Sequence, residues 1–464
     1  VLIDKVLREG IPTTRIIKIG GQDIEVRAMA QMPPGAVPAF IGLLLVVAVL
    51  IEPWVIRQRL VARLVARLRG RPPPVVAAET VAIASVGTGG STLAASELEA
   101  RGLRKLFTYR ETMAVVLMIA LWLAGFWLRP DFWASLDNSF NLLLAFTEIG
   151  LMAIGMAFVI GNADIDLSVG AVLALSGSTA AFMMKKMGSD PSSAVMIAFL
   201  VGTMAGTING FLATKARLPA FIATLAMFYM ARGVAAWQVG GRQLSQFPES
   251  FNLLGRKFIE LLRAWDLAPP PDSLLAQVAA AMSTQTLILS VLAIIFGVLL
   301  WRAPMGYMIK ATGGNRRAAS YAGINTDRVR FLSLVFCAML ASLAGLINIA
   351  FFRSFNPQAG ILRELDVIAS VVIGGGSIFG GYASVLGALA GAAVITLVRA
   401  LLSLQVFLPD GRSFVMPQNW VSVSIGLILI VAVLSDIWLR QERLLLRLKN
   451  RFSPTLKSLR RMKR

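Results

Sequence analysis

Residues able to do chemistry are sparse in this chain, and they are densest in Gly161-Asn162-Ala163-Asp164-Ile165-Asp166-Leu167-Ser168-Val169-Gly170. Two carboxylates, an amide and a hydroxyl stand together here, between apolar runs. Leu142 to Ile160 carries Glu148 as its only charge, and Val169 to Met184 carries none. An ionised carboxylate at the centre of a membrane-spanning helix costs roughly 2.5–3.5 kcal/mol on insertion scales. Such a residue is kept where it faces a bundle interior or a watered path, which makes this stretch a functional-site candidate. For Asp166 a second reading stands beside that one: it caps the helix that begins near Leu167 by accepting from free amides of its first turn.

Other chemistry is excluded by composition. The chain has no histidine, so His-based catalysis, proton relay and His-ligated metal are ruled out, and its one cysteine, Cys337, lies in an apolar run. No catalytic residue and no metal site is expected. Gly87-Thr88-Gly89-Gly90-Ser91-Thr92 resembles a phosphate-binding loop only superficially. It lacks the lysine and the preceding strand, and it reads as linker. If ATP is used, another chain binds it.

The elements that position the acidic stretch are membrane spans. Of 464 residues 56% are hydrophobic and 15% charged, against about 25% charged in an ordinary soluble domain. Mean hydropathy is +0.72. The expected fold is an all-α, polytopic transmembrane helical bundle. The net charge of +20 does not point to nucleic acid, because the basic residues lie between apolar spans and at the C-terminal end, as the positive-inside rule expects.

In chain order, residues 1–36 form an extracytoplasmic segment with a small hairpin about Gly20-Gly21. An extra transmembrane helix occupies 37–56, long enough for a bilayer. A basic amphipathic helix and a Pro-, Ala- and Gly-rich linker fill 57–111 on the cytoplasmic side. Ten hydrophobic segments follow, at 112–128, 142–161, 167–184, 194–213, 219–237, 286–303, 331–352, 365–379, 382–402 and 419–439, and a basic tail closes the chain at 440–464. Threaded alternately, they put the loops at 214–218, 304–330 and 440–464 inside, and all three are net basic. Arg232 and Arg399, within spans, are expected to snorkel to an interface. Glu148 and Asp366 are expected to serve helix packing, and Gly202, Gly206, Gly387 and Gly391 close helix contact.

A second interruption, Gly374-Gly375-Gly376-Ser377-Ile378-Phe379-Gly380-Gly381, parts two later spans. Paired helix breaks of this kind point to a substrate site near the bilayer midplane. A tight inter-helix turn is the other reading of the glycines. The basic loop from Met305 to Arg328 stands out as a turn, a short amphipathic helix and a second turn. Ala318, Ala319, Tyr321 and Ala322 form its apolar side, suited to a groove in a soluble partner.

Four stretches carry a family likeness. They are Asp164 to Gly170 with Leu173-Ala174-Leu175-Ser176-Gly177; Leu218-Pro219-Ala220-Phe221-Ile222-Ala223-Thr224-Leu225 with Ala231-Arg232-Gly233; the 306–325 loop; and Glu364 to Gly375. In order and spacing the sequence resembles the permease subunit of an ABC sugar importer of the ribose/xylose/arabinose type, in the branched-chain amino acid/monosaccharide permease superfamily. The likeness spans residues 112–439.

The resemblance implies about ten family helices, an inner-membrane location and a cytoplasmic C-terminus. It also implies a second permease subunit as a homodimer, a cytoplasmic ABC ATPase holding ATP and magnesium, and a periplasmic sugar-binding protein. The 306–325 loop becomes a coupling helix, with Gly313, Gly314, Asn315, Arg316, Ala319, Tyr321, Gly323 and Asn325 in contact with the ATPase. Asn162, Asp164, Asp166, Ser168, Asn209 and Ser377 are the candidates to line a path for a neutral sugar. Ala163-Asp164 stands where most members have Gly-Gly, which resembles the xylose-type branch and favours a xylose-like pentose. Alternatives are an importer of another solute (a branched-chain amino acid, a nucleoside, a quorum signal), an ion-coupled carrier and a non-transporting scaffold.

Overall fold

The computed structural model of the chain describes residues 11–19, 22–30, 111–133 and 135–404, with a few positions from 406 to 427. The expected helix at 37–56, the basic helix and linker at 57–110, most of the span at 419–439 and the tail at 440–464 lie outside the described residues. Near the N-terminal end, β1 (Ile11–Ile19) and β2 (Gln22–Ala30) pair antiparallel with Ile19 opposite Gln22. Gly20 and Gly21, about which the hairpin is expected, lie outside the described residues.

From Thr112 onward the described chain is almost entirely helical. The main elements are α1 (Thr112–Leu128), α2 (Leu136–Gly161), α3 (Val169–Lys186), α4 (Pro191–Thr214), α5 (Ala220–Gln238), α6 (Thr284–Trp301), α7 (Pro304–Gly314), α8 (Arg316–Tyr321), α9 (Thr326–Phe352), α10 (Arg363–Ile373) and α11 (Val385–Leu402). Among the described residues six helices are long and apolar enough to cross a membrane: α4, α5, α6, α9, α11 and the Asn141–Gly161 part of α2. The first nine expected segments each contain a helix. Both expected breaks are present, at 162–168 and 374–384.

The loops sort to two ends of the bundle. At one end Gly381 N donates to the Gly161 carbonyl at 3.0 Å, and Arg330 Nη1 to the Ala213 carbonyl at 3.1 Å. That end gathers the basic loops 214–218 and 304–330. At the other end Lys185 Nζ donates to the Gln246 carbonyl, and a short strand β3 (Leu244–Ser245) pairs with β4 (Ser354–Phe355). The alternation read from charge is therefore also the alternation in space.

Helix α9 is central and packs on α2, α3 and α4. Its interface with α4 is built by glycines one helical turn apart. Gly202 faces Ser342, Gly206 faces Ala338 and Gly210 faces Phe331, each so closely that a Cβ would overlap its neighbour. Without a hydrophobic driving force between helices in lipid, such close backbone approach supplies the attraction. Gly387 and Gly391 of α11 do the same against Gly374 and Ser370, joining α10 to α11.

Two expectations change. The segment at 365–379 is helical only to Ile373, because Gly374, Gly375 and Gly376 end it. Its 11 residues rise about 16 Å, half of a hydrocarbon core, so α10 does not span. The 305–328 loop is two helices, not one: α7 and α8 meet at Asn315, whose side chain caps α8 by accepting from Ala318 N at 3.0 Å.

Replacing Gly206 by valine drives a branched side chain into Ala338 and the Leu334 carbonyl. The expected outcome is destabilisation of about 1–3 kcal/mol, measured as a lowered melting temperature of the detergent-solubilised protein. The same change at Gly314, where a Cβ meets open space, leaves the melting temperature within error.

Candidate functional site

The acidic stretch is re-entrant. Helix α2 stops at Gly161, and Ala163 adopts a left-handed φ of 62°, rare for a residue with a side chain. The chain then climbs back into the bundle. Asp166 lies against the Cys337 thiol, and Cys337 also abuts Gly155. Asp166 therefore sits level with a point six helical residues, about 9 Å, above Gly161. Backbone groups that leave helical form here need partners. Leu167 N donates to Thr224 Oγ1 at 3.1 Å, Thr224 Oγ1 contacts the Ile165 carbonyl at 3.3 Å, and Ser168 N donates to Asp166 Oδ1 at 2.8 Å. Thr224, at the start of α5, was not singled out as a site residue, because a lone threonine in an apolar helix carries no signal of its partner.

All six path candidates are buried, and the structure divides them into groups. Asp166, Ser168 and Asn209 form a chain: Ser168 Oγ donates to Asp166 Oδ1 at 2.6 Å and Asn209 Nδ2 to Ser168 Oγ at 2.9 Å. Helix α3 begins at Val169 with Ser168 as its cap residue, and Asp166 holds Ser168 rather than the first-turn amides. Asn162 turns away, donating to the Phe158 carbonyl at 3.0 Å and to Ser333 Oγ at 2.8 Å. Ser377 lies in the glycine turn of 374–381, its N–H on the Tyr382 carbonyl at 2.9 Å, and that turn reaches the first break where Gly380 abuts Ala163. Among the described residues nothing donates a hydrogen bond to Asp166 Oδ2, Asn209 Oδ1 or Asn162 Oδ1.

Asp164 is gripped by the basic loop. Arg330 donates from Nε to Oδ2 at 2.6 Å and from Nη2 to Oδ1 at 3.0 Å, and Arg316 of α8 approaches Oδ1 at 3.4 Å. Asp164 and Arg330 are both buried, at 9% and 7% side-chain exposure. The two-point fork is the strong form of this pair. Beside them opens a cleft of about 710 Å³ that reaches Arg217 and Asp327.

The remaining coupling candidates are all placed at this end. A Cβ on Gly313 would overlap the Gly161 carbonyl and Gly381 N, so loop and both breaks touch at one point. Gly314 is exposed, Ala319 is buried, Gly323 turns the chain at φ +85°, and Asn325 caps α9 by accepting from Arg328 N at 3.0 Å. Tyr321 is 90% exposed, and Ala318 and Ala322 are exposed with it.

Two arginines expected at an interface are tied inside instead. Arg399 Nη2 contacts both oxygens of Asp366, at 2.7 and 2.8 Å. Arg363 joins Asp366 at 3.2 Å to Glu148 at 2.8 Å, and Asn348 donates to Glu148 at 2.6 Å. Glu148 and Asp366 thus pack helices, as expected, through a network that fastens α10 to α2, α9 and α11. Arg232 donates to the carbonyls of Ala359 and Gly170. An arginine's length allows snorkelling, but a buried acid or carbonyl within reach binds it more strongly than distant headgroups.

Residues 138–433 match the family described as branched-chain amino acid transport system / permease component. The chain belongs to this family. The permease is 32% identical to the ribose import permease protein of Haemophilus influenzae over 345 residues, 74% of this chain and 96% of that one. It is 34% identical to the ribose import permease protein of Bacillus subtilis over 312 residues, 67% and 87% of the two chains. With the xylose transport system permease protein of Escherichia coli it shares 28% over 364 residues, 69% and 90%. No solved structure matches it at a significant level. As a permease component it is a transport subunit, not an enzyme.

In the permease, removing one partner of the Asp164–Arg330 pair leaves the other buried without its main counter-charge. Asp164→Ala is expected to cost about 3–5 kcal/mol, and the exchange Asp164→Arg with Arg330→Asp to recover part of it. Melting temperatures of both single variants and the double variant in detergent measure the coupling. Strict additivity would deny the pair.

Proposed function

We propose that this permease is the membrane-spanning subunit of an ATP-driven, binding-protein-dependent importer that moves a monosaccharide across a bacterial inner membrane. The basic-loop end and the C-terminus face the cytoplasm, as the charge bias favours. Its ATPase, a separate chain holding ATP and magnesium, takes the α7–α8 segment. A periplasmic sugar-binding protein docks at the opposite end, and a second copy of the permease completes the path.

The single observation that carries the reading is the Arg316–Asp164–Arg330 connection. An exposed helix suited to a soluble partner reaches, through Arg316 at 3.4 Å, the carboxylate that the buried Arg330 grips in the re-entrant stretch with the densest polar groups. Import of ribose and transport of xylose are what the relatives' names state, and a pentose is the substrate class taken from them. The Ala163-Asp164 pair favoured xylose from the sequence. Since Asp164 grips the coupling segment, that pair bears on force transfer, and ribose and xylose enter the test as equal arms. Asn162, Asp166 and Asn209 would meet the sugar through acceptors left open among the described residues, with Ser168 and Ser377 exchanging their present partners for it, when the bundle opens or where two copies meet.

Proteoliposomes holding the permease, its ATPase and its binding protein test this. ATP-dependent uptake of ribose or xylose is expected, abolished when either partner is omitted. Uptake driven by a proton gradient without the ATPase would establish an ion-coupled carrier, and preferential uptake of leucine an amino-acid importer. Tyr321→Ala removes an exposed aromatic of the kind that anchors interfaces. It is expected to lower binding-protein-stimulated ATP hydrolysis about tenfold or more while leaving the permease's melting temperature unchanged.

A further inference from the structure

Two re-entrant segments meet inside the bundle, and their meeting point holds charged groups that packing does not use up. From the basic-loop end comes 162–168, which delivers Gly170. From the opposite end comes 356–362. Phe355 lies at Gly177 and Gly360 at Gly170, so this second segment descends along seven residues of α3, about 10 Å. A Cβ on Gly170 would overlap the Gly360 carbonyl, and a Cβ on Gly360 would overlap the Gly170 carbonyl. Gly360 also stands at φ +70°, and Leu362, just beyond it, is left-handed at 62°. The seam is backbone against backbone, with a left-handed residue, Leu362, beside it, the kind of conformation that clusters at gates and ligand clamps.

Arg232 of α5 spans the seam. Its Nη1 donates to the Ala359 carbonyl and its Nη2 to the Gly170 carbonyl at 3.3 Å, so one guanidinium holds one carbonyl from each segment. The Nε is buried and makes no hydrogen bond among the described residues. Glu364, in the first turn of α10 and 8% exposed, lies over Gly170 and is drawn electrostatically to Arg232. Its Oε2 is buried without a partner. The Phe228 ring lies 5.9 Å from the guanidinium carbon. Each unmade buried bond is a cost, and at this seam a donor, Arg232 Nε, and an acceptor, Glu364 Oε2, are both left open among the described residues, with the Phe228 ring against the guanidinium.

We propose that the Arg232–Glu364 seam is the sugar-contacting gate of the path. This rests on the monosaccharide-import reading. The gate is closed while Arg232 holds both carbonyls. When the segments part, the guanidinium offers a fork of donors, Glu364 and the two freed carbonyls offer acceptors, and Phe228 offers an apolar ring to a sugar's C–H face. The set is net neutral and matches vicinal hydroxyls of an uncharged polyol.

The test uses the full transporter in proteoliposomes, comparing Arg232→Gln, Arg232→Lys and Glu364→Gln with the unaltered protein. Two quantities are read: the ratio of ATP-driven ribose to xylose uptake, and leak of preloaded sugar without ATP. Glu364→Gln, nearly isosteric, is expected to shift the ratio about tenfold, as expected when a group hydrogen-bonded to one substrate is altered. Arg232→Gln is expected to raise the leak severalfold, with Arg232→Lys between it and the unaltered protein. If Arg232→Gln does not fold, Glu364→Gln still reads the ratio. Sugar uptake by the unaltered protein, with ratio and leak unchanged in the folded variants, overturns the gate alone. No monosaccharide uptake by the unaltered protein overturns the importer reading and the gate with it.

Discussion

Backbone that leaves helical form inside an apolar slab has no water to bond, so as the stretch climbs from the cleft toward Ser168 its N–H and C=O groups must be answered by protein. That constraint shapes the surroundings. Thr224 has to stand within reach of both Ile165 and Leu167, which fixes where α5 starts after Pro219. Asp166 supplies the acceptor that Ser168 N needs and takes its hydroxyl as well, and Asn209 completes the chain from α4. Room for an extra segment beside α2 comes from Gly155, which lets α9 approach at Cys337. The glycines of α4 then draw the same helix in from the other side. The polar stretch and the small-residue packing are two parts of one solution.

Three buried carboxylates are handled in three ways. Asp164 takes a forked arginine, Asp366 takes two arginines from α10 and α11, and Asp166 takes hydroxyl and amide groups with no cation in contact. The first two are ion pairs that fasten one element to the next: Asp164 of the re-entrant stretch to α8 and α9, and Asp366 of α10 to α11. Asp166 is held instead by Ser168 of its own segment, so its bonds shape the turn into α3.

Hydropathy made the spans, both breaks and the alternation of loops legible, because those depend on composition along the chain. What it left out depends on direction around each helix. Arg399 and Arg232 read as snorkelling residues since a linear pattern does not say that Asp366 or the Gly170 carbonyl lies within reach. The 356–362 segment, with Asn356 and Gln358, reads as a surface loop. Its descent follows from α10 being short, and α10 reads as a full span until Gly374 is known to end it. Asp164 reads as a path residue because it is a polar group between apolar runs, and it lines the cleft as well as pairing with Arg330. Its partner Arg330 is far along the chain, and nothing local pairs them.

The same connectivity answers how a push at the exposed end could reach a seam deep in the bundle. Gly313 sits against the Gly161 carbonyl and Gly381 N with no side chain between them, so a displacement of α7 is not absorbed by a rotamer change. From Gly161 the chain runs through Asp164, itself held to α8 and α9, to Gly170. From Gly381 it runs back through Gly374 to α10, a rigid rod of about 16 Å, which begins at Arg363 beside Leu362 and carries Glu364. One route ends on each side of the seam. Moving a single contact therefore drives both of its walls, and Arg232, rooted in α5 and joined covalently to neither, is the bond that has to yield.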